Sequence, residues 1–472
     1  MSVSPARKIA FDVLRRVETE GAFAADALHA RLEKAGQGAR GLKPEDAALA
    51  TELTLGVLRW QRLLDALLEH QMGKPAAKLD LEVRLALRLG LYQIRWLERV
   101  PAYAAIHESV ELTKLARKRS AAGMVNAVLR RAATRATGTA GGTVSTSDEE
   151  SAPKLLRAES EMDSYGVLFS HPTWLVGRWI RRLGDSQAVR LLGANNHPPR
   201  TTCVLHDESR RQEAADSLRR AGLVVEPASF LRSAWTLRRG HAAASDAFRR
   251  GWISLQDEAS QMVALLLDVH PGQRVLDLCA APGGKAGTLA RAAGADALLV
   301  ACDVHLHRLL TLRSNLERVG ATNVRLAALD ARQPLPFSAQ FDRILVDAPC
   351  SGTGTLARNP EIRWRLSPED LPDFAQRQAA ILRAALEALA PGGKLVYGTC
   401  SLEPEENEQV VERVLATATD VRLISGRDSL RPHLREGADA DSLFDERGYF
   451  RTVPHEHGTD GFFAAVLERS SR

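Results

Sequence analysis

The stretch that most constrains how this chain folds is residues 274–285, with the sequence RVLDLCAAPGGK. The apolar residues Val275, Leu276 and Leu278 predict a short buried strand of a parallel sheet, and the small residues after them predict a tight turn into a helix. Glycine lets the backbone of such a turn approach a ligand closely, and the N–H groups at the helix start favour polar or anionic groups. Residues 279–285 are therefore predicted to form a nucleotide-binding corner.

An acidic residue follows the next predicted strand, residues 297–301. This residue is Asp303, which lies 19 positions after Gly284. An acid near this spacing, at the end of the second strand, usually binds the ribose hydroxyls of a nucleoside cofactor. The turn and the acid together favour a cofactor site over a turn with only a structural role.

The region after Pro271 alternates regularly between predicted strands and helices. The strands are predicted at residues 274–278, 298–301, 324–327, 342–346, 394–397 and 462–467, and helices at 285–293, 305–319 and 370–389. This alternation is typical of a doubly wound, mainly parallel α/β sheet, in which ligands bind beyond the carboxyl ends of the strands. We assign residues 269–472 to this domain.

The N-terminal part of the chain is predicted to be all-α and basic. Apolar residues recur at helical spacing through residues 1–136. Residues 1–140 contain 23 Lys and Arg against 15 Asp and Glu, whereas the net charge of the whole chain is only +5. No acid lies between Glu111 and Asp148, a stretch with these basic residues: Lys114, Arg117, Lys118, Arg119, Arg130, Arg131 and Arg135. Such a run is often only a solvated helix face, but here it favours contact with nucleic acid.

A change of composition separates this region from the rest of the chain. Residues 137–164 are rich in Gly, Ser, Thr and acidic residues, which predicts a flexible linker. Residues 165–268 alternate helices and strands on a small scale, which predicts a compact α/β middle domain, and we expect it to bind RNA. Because 472 residues exceed what one hydrophobic core normally supports, a multidomain chain is expected.

The composition argues against several classes of protein. The sequence has neither an apolar run of membrane-spanning length nor an N-terminal signal segment, so we expect a cytoplasmic protein without a membrane partner. Its five cysteines are scattered, without CxxC pairs or a matching histidine cluster, which argues against disulfides and against a bound metal. We expect a monomer with reduced thiols.

Two of the cysteines follow predicted strands in loops of small polar residues. Cys350 lies in Pro-Cys-Ser-Gly after the fourth strand, and Cys400 lies in Thr-Cys-Ser after the fifth. Such loops suit reactive thiols better than packed strand centres do. The remaining cysteines are predicted to be buried and unreactive: Cys203, Cys279 and Cys302.

Two thiols, an acid and a nucleoside cofactor at one edge of a sheet suit methyl transfer to carbon 5 of a pyrimidine. That carbon is a poor nucleophile, but addition of a thiolate at carbon 6 makes it enamine-like. The carboxyl group of Asp347, near ring N3, would stabilise the adduct, and a base would later remove the carbon 5 proton. One cysteine would attack and the other would assist release, but the residues alone do not decide which.

Four segments resemble the successive motifs of one enzyme family. They are DLCAAPGGK at 277–285, DAPCSGTGTLARNPEIRW at 347–364, YGTCSLEPEENE at 397–408 and DGFFAAVLER at 460–469. These segments are similar to the motifs of the Sun-type RNA (cytosine-5) methyltransferases, and the basic helical front end resembles NusB, an RNA-binding fold. The combination resembles the bacterial members of the family that methylate a cytosine of 16S ribosomal RNA.

The resemblance implies an all-α NusB-like domain, a small α/β middle domain and a Rossmann-like class I methyltransferase domain. It also implies S-adenosyl-L-methionine as the cofactor, bound by Cys279, Ala280, Ala281, Pro282, Gly283, Gly284, Lys285, Asp303, Asp330 and Asp347. In the family the residue that matches Cys400 is the nucleophile and the one that matches Cys350 assists release, with Asp347 beside them. The chain departs from the family pattern at Ala286, where Thr is frequent, and in its long linker. Neither departure touches a catalytic role.

Two other functions compete with this interpretation. Methyltransferases that act on an exocyclic amine generally have an aromatic residue after Asp/Asn-Pro-Pro, but here Pro349 is followed by Cys350. An RNA-binding assembly factor with an inactive methyltransferase fold would suit the basic front end, but the intact cysteines and acids argue against it.

The segment 358–364, RNPEIRW, is a further candidate for RNA contact. Arginine and tryptophan planes stack on unpaired bases, which favours a role in binding RNA. The alternative is a loop that packs against the edge of the sheet.

Overall fold

The computed structural model describes residues 3–36, 41–136 and 160–471, which divide into two compact units. The first unit spans Met1–Pro198 and Leu356–Arg365, and the second spans Pro199–Thr355 and Leu366–Arg472. Most of the predicted linker, residues 137–159, lies outside the described residues. Within these ranges, none of the helices combines the length and the apolar character that a membrane span requires.

The first unit is helical throughout its described residues, as predicted for residues 1–136. Its longer helices are α1 (Pro5–Glu20), α2 (Ala24–Gly36), α3 (Pro44–Arg59), α4 (Gln61–Met72), α5 (Leu81–Trp96), α6 (Ala102–Leu115), α7 (Ala122–Ala136), α8 (Glu161–Leu168), α9 (Thr173–Leu183) and α10 (Asp185–Ala194). The apolar periodicity predicts one continuous helix from Pro44, but the structure divides it at Trp60. The Trp60 ring stacks on Trp96 at a centroid distance of 5.3 Å, a tertiary contact that the local pattern does not contain.

The helices of the first unit pack through apolar faces. Leu14, Leu53, Leu85 and Leu129 come from four different helices, and each is at most 1% exposed. Burial of each of these side chains stabilises the fold by roughly 1.5–3 kcal/mol. The leucines that recur at helical spacing in the sequence therefore form the core of this unit.

The basic stretch after Glu111 is less isolated in space than in sequence. Lys114 forms an ion pair with Glu111 at 2.7 Å, and Lys118 forms one with Asp80 at 2.9 Å. The expectation that these cations lack acidic neighbours is therefore wrong for Lys114 and Lys118. Helix packing brings Asp80 to Lys118 across 38 positions of the chain.

Helices α8–α10 belong to the first compact unit. The side chain of Ser160 accepts a hydrogen bond from the Asp163 N–H and caps α8, which begins inside the predicted linker. Arg62 of α4 donates to the His171 carbonyl at 2.6 Å and forms an ion pair with Asp163. The boundary between the compact units falls after Pro198, whereas the composition predicts a domain boundary near residue 164.

The segment Leu356–Arg365 is also part of the first unit, and Arg363 within it is completely buried. Its guanidinium donates to the carbonyl of Ser170 at 3.0 Å, to the side-chain oxygen of Asn196 at 2.9 Å and to the carbonyl of Asn195 at 3.2 Å. The Trp364 indole donates to the Leu58 carbonyl at 2.8 Å. Stacking of Arg363 on RNA is therefore excluded by its complete burial, whereas Trp364 is half-buried and its indole N–H is already used inside the protein.

The second unit contains the strands of both sheets found among the described residues. The strands are β1 (Thr201–Leu205), β2 (Val224–Pro227), β3 (Ala234–Arg238), β4 (Ile253–Leu255), β5 (Val275–Asp277), β6 (Leu299–Asp303), β7 (Val324–Ala328), β8 (Phe341–Asp347), β9 (Leu389–Thr399), β10 (Val421–Ile424), β11 (Phe450–Thr452) and β12 (Phe462–Arg469). Its longer helices are α11 (Arg211–Arg220), α12 (Glu258–Leu265), α13 (Gly284–Ala293), α14 (Leu306–Arg318), α15 (Asp370–Glu387) and α16 (Glu408–Leu415).

The smaller sheet has the strand order β2-β3-β1-β4 and is antiparallel throughout. The sequence predicts β1 and β2 but not β3 or β4, which are held in the sheet by pairing with β1, a long-range contact. Helix α11 covers one face, where Cys203, Leu218 and Leu237 share a small core. This sheet is the α/β part predicted for the middle of the chain.

The larger sheet has the order β10-β12-β9-β8-β5-β6-β7, with β11 paired to β12. Strands β5 to β9 run parallel, and β12 is antiparallel to β9. The doubly wound, class I methyltransferase type of sheet predicted from the sequence is confirmed. Because β5 lies between β6 and β8, the chain changes direction across the sheet there, and ligands bind at such a point.

Replacing Arg363 with methionine should destabilise the protein by about 3 kcal/mol, because several buried carbonyl oxygens lose their donor at once. Urea unfolding followed by circular dichroism measures this change. Arg190→Met is the matched control, since Arg190 is exposed on α10. Equal unfolding midpoints for the two variants would contradict the structural role of Arg363.

Candidate active site

The carboxyl ends of four parallel strands meet at one edge of the larger sheet. Asp277 ends β5, Asp303 ends β6, Asp347 ends β8 and Thr399 ends β9. The loops that follow β8 and β9 carry Cys350 and Cys400, and the loop after β5 carries the glycine turn. Parallel pairing in register thus brings Asp277, Asp347 and Thr399, together with the loops that follow them, to a common edge.

The two cysteines predicted to be reactive lie side by side. The Sγ atoms of Cys350 and Cys400 are 3.0 Å apart, both thiols are free, and both residues are half-buried. The hydrogen bond between the thiols, together with burial, raises the pKa of Cys350. Either sulfur can donate this hydrogen bond to the other.

A buried carboxylate, Glu406, joins the two loops that carry these thiols. Its oxygens accept hydrogen bonds from the Ser351 backbone N–H at 2.8 Å, from the Ser351 hydroxyl and from the Ser401 hydroxyl at 2.6 Å. Gln378 of α15 donates to the same carboxylate at 2.9 Å. Since Ser351 and Ser401 directly follow Cys350 and Cys400, Glu406 fixes the spacing of the two thiols.

The Lys285 ammonium and the Asp347 carboxylate form an ion pair at 2.7 Å. Lys285 is only 9% exposed, and its ammonium also lies 5.2 Å from the centre of the Phe462 ring. The pair places a hydrogen-bond donor next to an acceptor. Asp347 lies three positions before Cys350 in the sequence. This arrangement suits recognition of a ring that has both a donor and an acceptor on one edge.

One cavity, of about 270 Å³, opens between the glycine turn and the smaller sheet. Asp277, Lys285 and Asp347 line one side, and Gln256 and Ser260 lie on the other. Gly283 starts α13 with a φ of 110°, and a Cβ atom there would lie 2.7 Å from Leu312. Only glycine fits this position without strain, so the turn keeps its tight path beside the cavity.

Asp277 is the most unusual ionisable group of this cavity. It is completely buried, and neither of its carboxylate oxygens has a hydrogen-bond partner among the described residues. Burial, reinforced by the Asp347 charge and opposed by Lys285, raises the pKa of Asp277 to about 7. A buried acid left without donors is an acceptor for a cationic or N–H-bearing ligand.

A second cavity, of about 340 Å³, contains the other predicted acids, Asp303 and Asp330. Asp303 is 3% exposed, forms an ion pair with Arg308 at 3.2 Å and accepts from the His305 N–H at 3.0 Å. Hydrogen bonds from Arg332 lower the pKa of Asp330. Cys279 lines both cavities, so the predicted cofactor residues surround two adjoining spaces rather than one.

Burial disfavours the thiolate form of the remaining thiols. Burial raises the pKa of Cys203 and of Cys302 to about 12, and it also raises the pKa of Cys279. Within the described ranges, no cluster of three or more His, Cys, Asp or Glu side chains is arranged to hold a metal ion.

Sequence reasoning missed Asp277, Glu406 and Gln256. Asp277 has a visible signal, since it is an acid inside an apolar strand. Glu406 lies in the quoted segment 397–408, but its contacts with both thiol loops depend on residues up to 55 positions away. Gln256 reaches the cavity from the smaller sheet, and the sequence contains no sign of that approach.

Comparison with known proteins gives a consistent result along the chain. The profile of the NusB family matches residues 4–134, and that of the RsmF/B-like methyltransferase ferredoxin-like domain matches residues 171–243. The profile described as 16S rRNA methyltransferase RsmB/F matches residues 264–468.

Two curated relatives and one solved structure are similar over most of their length. The chain is 33% identical to "Probable ribosomal RNA small subunit methyltransferase B" of Synechocystis, over 98% of this chain and 99% of that protein. It is 36% identical to "Ribosomal RNA small subunit methyltransferase B" of Pseudomonas syringae pv. tomato, over 89% of each. The crystal structure of PH0851 is similar in fold, with a TM-score of 0.78 over 99% of this chain and 100% of that chain at 24% identity.

Replacing Glu406 with glutamine should loosen the spacing of the two thiols, because the new NH2 group faces N–H and O–H donors. We expect diamide, an oxidant that removes two electrons and two protons, to form the Cys350–Cys400 disulfide several-fold more slowly than in the wild type. Peptide mass spectrometry measures the rate. The control is Glu412→Gln. Glu412 lies on α16, and this substitution removes only its exposed ion pair with Arg447. Equal rates in all three proteins would contradict the role assigned to Glu406.

Proposed function

Because the chain belongs to the ribosomal RNA small subunit methyltransferase B family, we propose that it methylates carbon 5 of a cytosine in 16S ribosomal RNA. The methyl donor is S-adenosyl-L-methionine, and the reaction passes through a covalent cysteine adduct. The observation that carries this proposal is the pair of thiols 3.0 Å apart, next to the Lys285–Asp347 ion pair. Carbon 5 methylation needs a nucleophilic thiol and a donor near ring N3, and this arrangement offers both, with a second thiol that can assist release.

The two adjoining cavities fit an elongated cofactor with a nucleoside at one end and an amino acid at the other. Asp303 and Asp330 would hold the nucleoside in the larger cavity, and residues 279–285 would line its path into the smaller one. Asp277, whose buried oxygens lack partners, would accept from the cofactor's ammonium group. When bound, S-adenosyl-L-methionine supplies a methyl group on a positively charged sulfur.

Cys400 would be the nucleophile. Its thiol loses a proton, and the sulfur forms a bond to carbon 6 of the cytosine while the electron pair of the 5,6 double bond moves toward carbon 5. The neighbouring Cys350 thiol lies close enough to donate a hydrogen bond to the Cys400 sulfur. The choice of Cys400 as the nucleophile rests on the family resemblance.

Asp347 and Lys285 would hold the Watson–Crick edge of the cytosine. The Asp347 carboxylate can accept from the exocyclic amine, and the Lys285 ammonium can donate toward ring N3. Donation to N3 stabilises the charge that develops there when the thiolate adds to carbon 6. The sequence singles out Asp347 alone as the acid near ring N3. In this arrangement Lys285 donates to N3 while Asp347 accepts from the exocyclic amine, so the two residues share that role.

Release requires loss of the carbon 5 proton. After carbon 5 has been methylated, a base removes this proton, the 5,6 double bond reforms, and the bond between carbon 6 and the Cys400 sulfur breaks. Cys350 lies 3.0 Å from that sulfur and would assist this step. Glu406 would keep both sulfurs in place during attack and release.

Cofactor binding should depend on pH through Asp277. Its pKa of about 7 in the cofactor-free protein means that the ionised form, which pairs with an ammonium group, predominates only above that pH. Affinity for S-adenosyl-L-methionine should therefore rise from pH 6 to pH 7.5, with proton release below pH 7. Asp277→Asn should weaken binding about tenfold at pH 7.5, which is about 1.4 kcal/mol, and remove most of the pH dependence.

Isothermal titration calorimetry in two buffers of different ionisation enthalpy measures both effects. Asp296→Asn, which removes an exposed acid, is the control and should leave affinity and its pH dependence unchanged. An Asp277→Asn protein with the pH dependence of the wild type would remove Asp277 from the cofactor site.

The two thiols should give opposite phenotypes. Cys400→Ala should bind RNA and cofactor but form neither 5-methylcytosine nor a covalent complex. Cys350→Ala should still attack and methylate, and then accumulate a protein–RNA adduct that survives denaturing electrophoresis, because release is impaired. Cys302→Ala is the control and should retain turnover.

The reverse pattern, with an adduct in Cys400→Ala and none in Cys350→Ala, would exchange the roles of the two cysteines. Full methylation by Cys400→Ala would exclude covalent catalysis through this residue. Mass spectrometry of the RNA nucleosides separates both outcomes from simple loss of binding.

A further inference from the structure

A groove on the second unit, away from the two cavities of the active site, is lined by arginine. The side chains of Arg211, Arg232 and Arg435 surround a space of about 310 Å³, together with Trp235. The residues that line it include no aspartate or glutamate, although Glu208, which is not among them, pairs with Arg211.

The loop that forms the floor of the groove is held from below. Glu258 at the start of α12 is 1% exposed, and its carboxylate accepts from the N–H groups of Ser229, Phe230 and Leu231 at 3.0, 2.6 and 2.5 Å. Three hydrogen bonds to one buried carboxylate fix this loop before any ligand arrives. A preorganised surface loses little conformational entropy on binding.

The C-terminal part of the second unit completes the groove. The Arg435 N–H donates to the Phe230 carbonyl at 2.8 Å, and the Arg232 N–H donates to the His433 carbonyl at 3.1 Å. The Arg435 guanidinium donates to the Ala228 carbonyl at 2.8 Å, and its charge acts on the buried Glu258 carboxylate below the loop. The arginines therefore come from two distant parts of the chain and are brought together by backbone pairing.

The three arginine side chains differ in the hydrogen bonds and ion pairs that they already form within the protein. Arg211 is bound to Glu208 and lies over the Trp235 ring at 5.3 Å. Arg232 is exposed, and its guanidinium has no hydrogen bond or ion pair within the described part of the chain. A free, exposed guanidinium beside two fixed ones is ready to bind an oxyanion in a bidentate manner.

The groove and the active site lie on opposite sides of one short stretch. Gln256 and Ser260 line the smaller cavity of the site, while Glu258 between them holds the loop of the groove. A ligand in the groove would therefore be anchored immediately behind a wall of the active site.

We infer that this groove binds a phosphodiester of the RNA substrate and so positions the strand whose base enters the site. The inference rests on the proposed function only in taking RNA as the substrate. Because the Trp235 ring is already covered by Arg211, the groove offers charge rather than a stacking surface. It should hold the backbone of the RNA without reading its sequence.

The experiment measures the affinity of the full-length protein for a 16S ribosomal RNA fragment by fluorescence anisotropy at several salt concentrations. Each phosphate contact contributes about 0.7 to 0.9 to the slope of log affinity against log salt. Arg232→Gln should lower the magnitude of the slope by about this amount, and Arg232→Lys should restore most of it. Arg239→Gln is the control, because Arg239 is an exposed cation just after the opposite end of β3.

An unchanged slope in Arg232→Gln, or an equal loss in Arg239→Gln, would overturn the inference. Polyglutamate that competes as well as RNA, in an Arg232-dependent manner, would assign the groove to an acidic protein surface and also overturn it. Binding of S-adenosyl-L-methionine should be the same in all variants. If the wild type binds RNA with the Arg232-dependent slope but forms no 5-methylcytosine, the proposed reaction fails while the groove stands.

Discussion

The geometry of the candidate active site depends on the hydrogen bonds that the Glu406 carboxylate accepts. This carboxylate lies buried between two loops that leave neighbouring parallel strands, and it accepts hydrogen bonds from the residue after each thiol. A carboxylate removed from water is costly unless its lone pairs are filled, and Ser351, Ser401 and Gln378 fill them here. The cost of burial is thus offset by the contacts that hold Cys350 and Cys400 at 3.0 Å.

The stretch from Gln256 to Ser260 links the smaller sheet to both the smaller cavity and the arginine groove. Its side chains line the cavity beside the glycine turn, and Glu258 within it organises the arginine groove. The smaller sheet therefore forms a wall of the site. A substitution in this stretch can change cofactor affinity and RNA affinity together.

Arg363 ties the segment that follows the Cys350 loop to the helices of the first unit. The chain runs from the loop of Cys350 directly into the segment Leu356–Arg365, whose arginine is buried among carbonyl oxygens of the helical unit. Deletion of residues 1–135 would remove the Leu58 carbonyl that accepts from Trp364, but it would leave Ser170, Asn195 and Asn196 as partners of Arg363. Point substitutions of surface arginines leave all of these bonds intact and are therefore the cleaner test of RNA binding.

The sequence by itself determined the sheet type and the placement of Cys350, Cys400 and the acids at the strand ends, because each follows from local pattern and from motifs at fixed spacing. It did not determine that Asp277 lacks hydrogen-bond partners, that Lys285 pairs with Asp347, or that Arg363 is internal rather than RNA-facing. Only tertiary packing decided these, since burial and charge pairing depend on which distant residues meet. Local pattern encodes which face of an element is apolar, whereas the neighbours of a polar group are set by the whole fold.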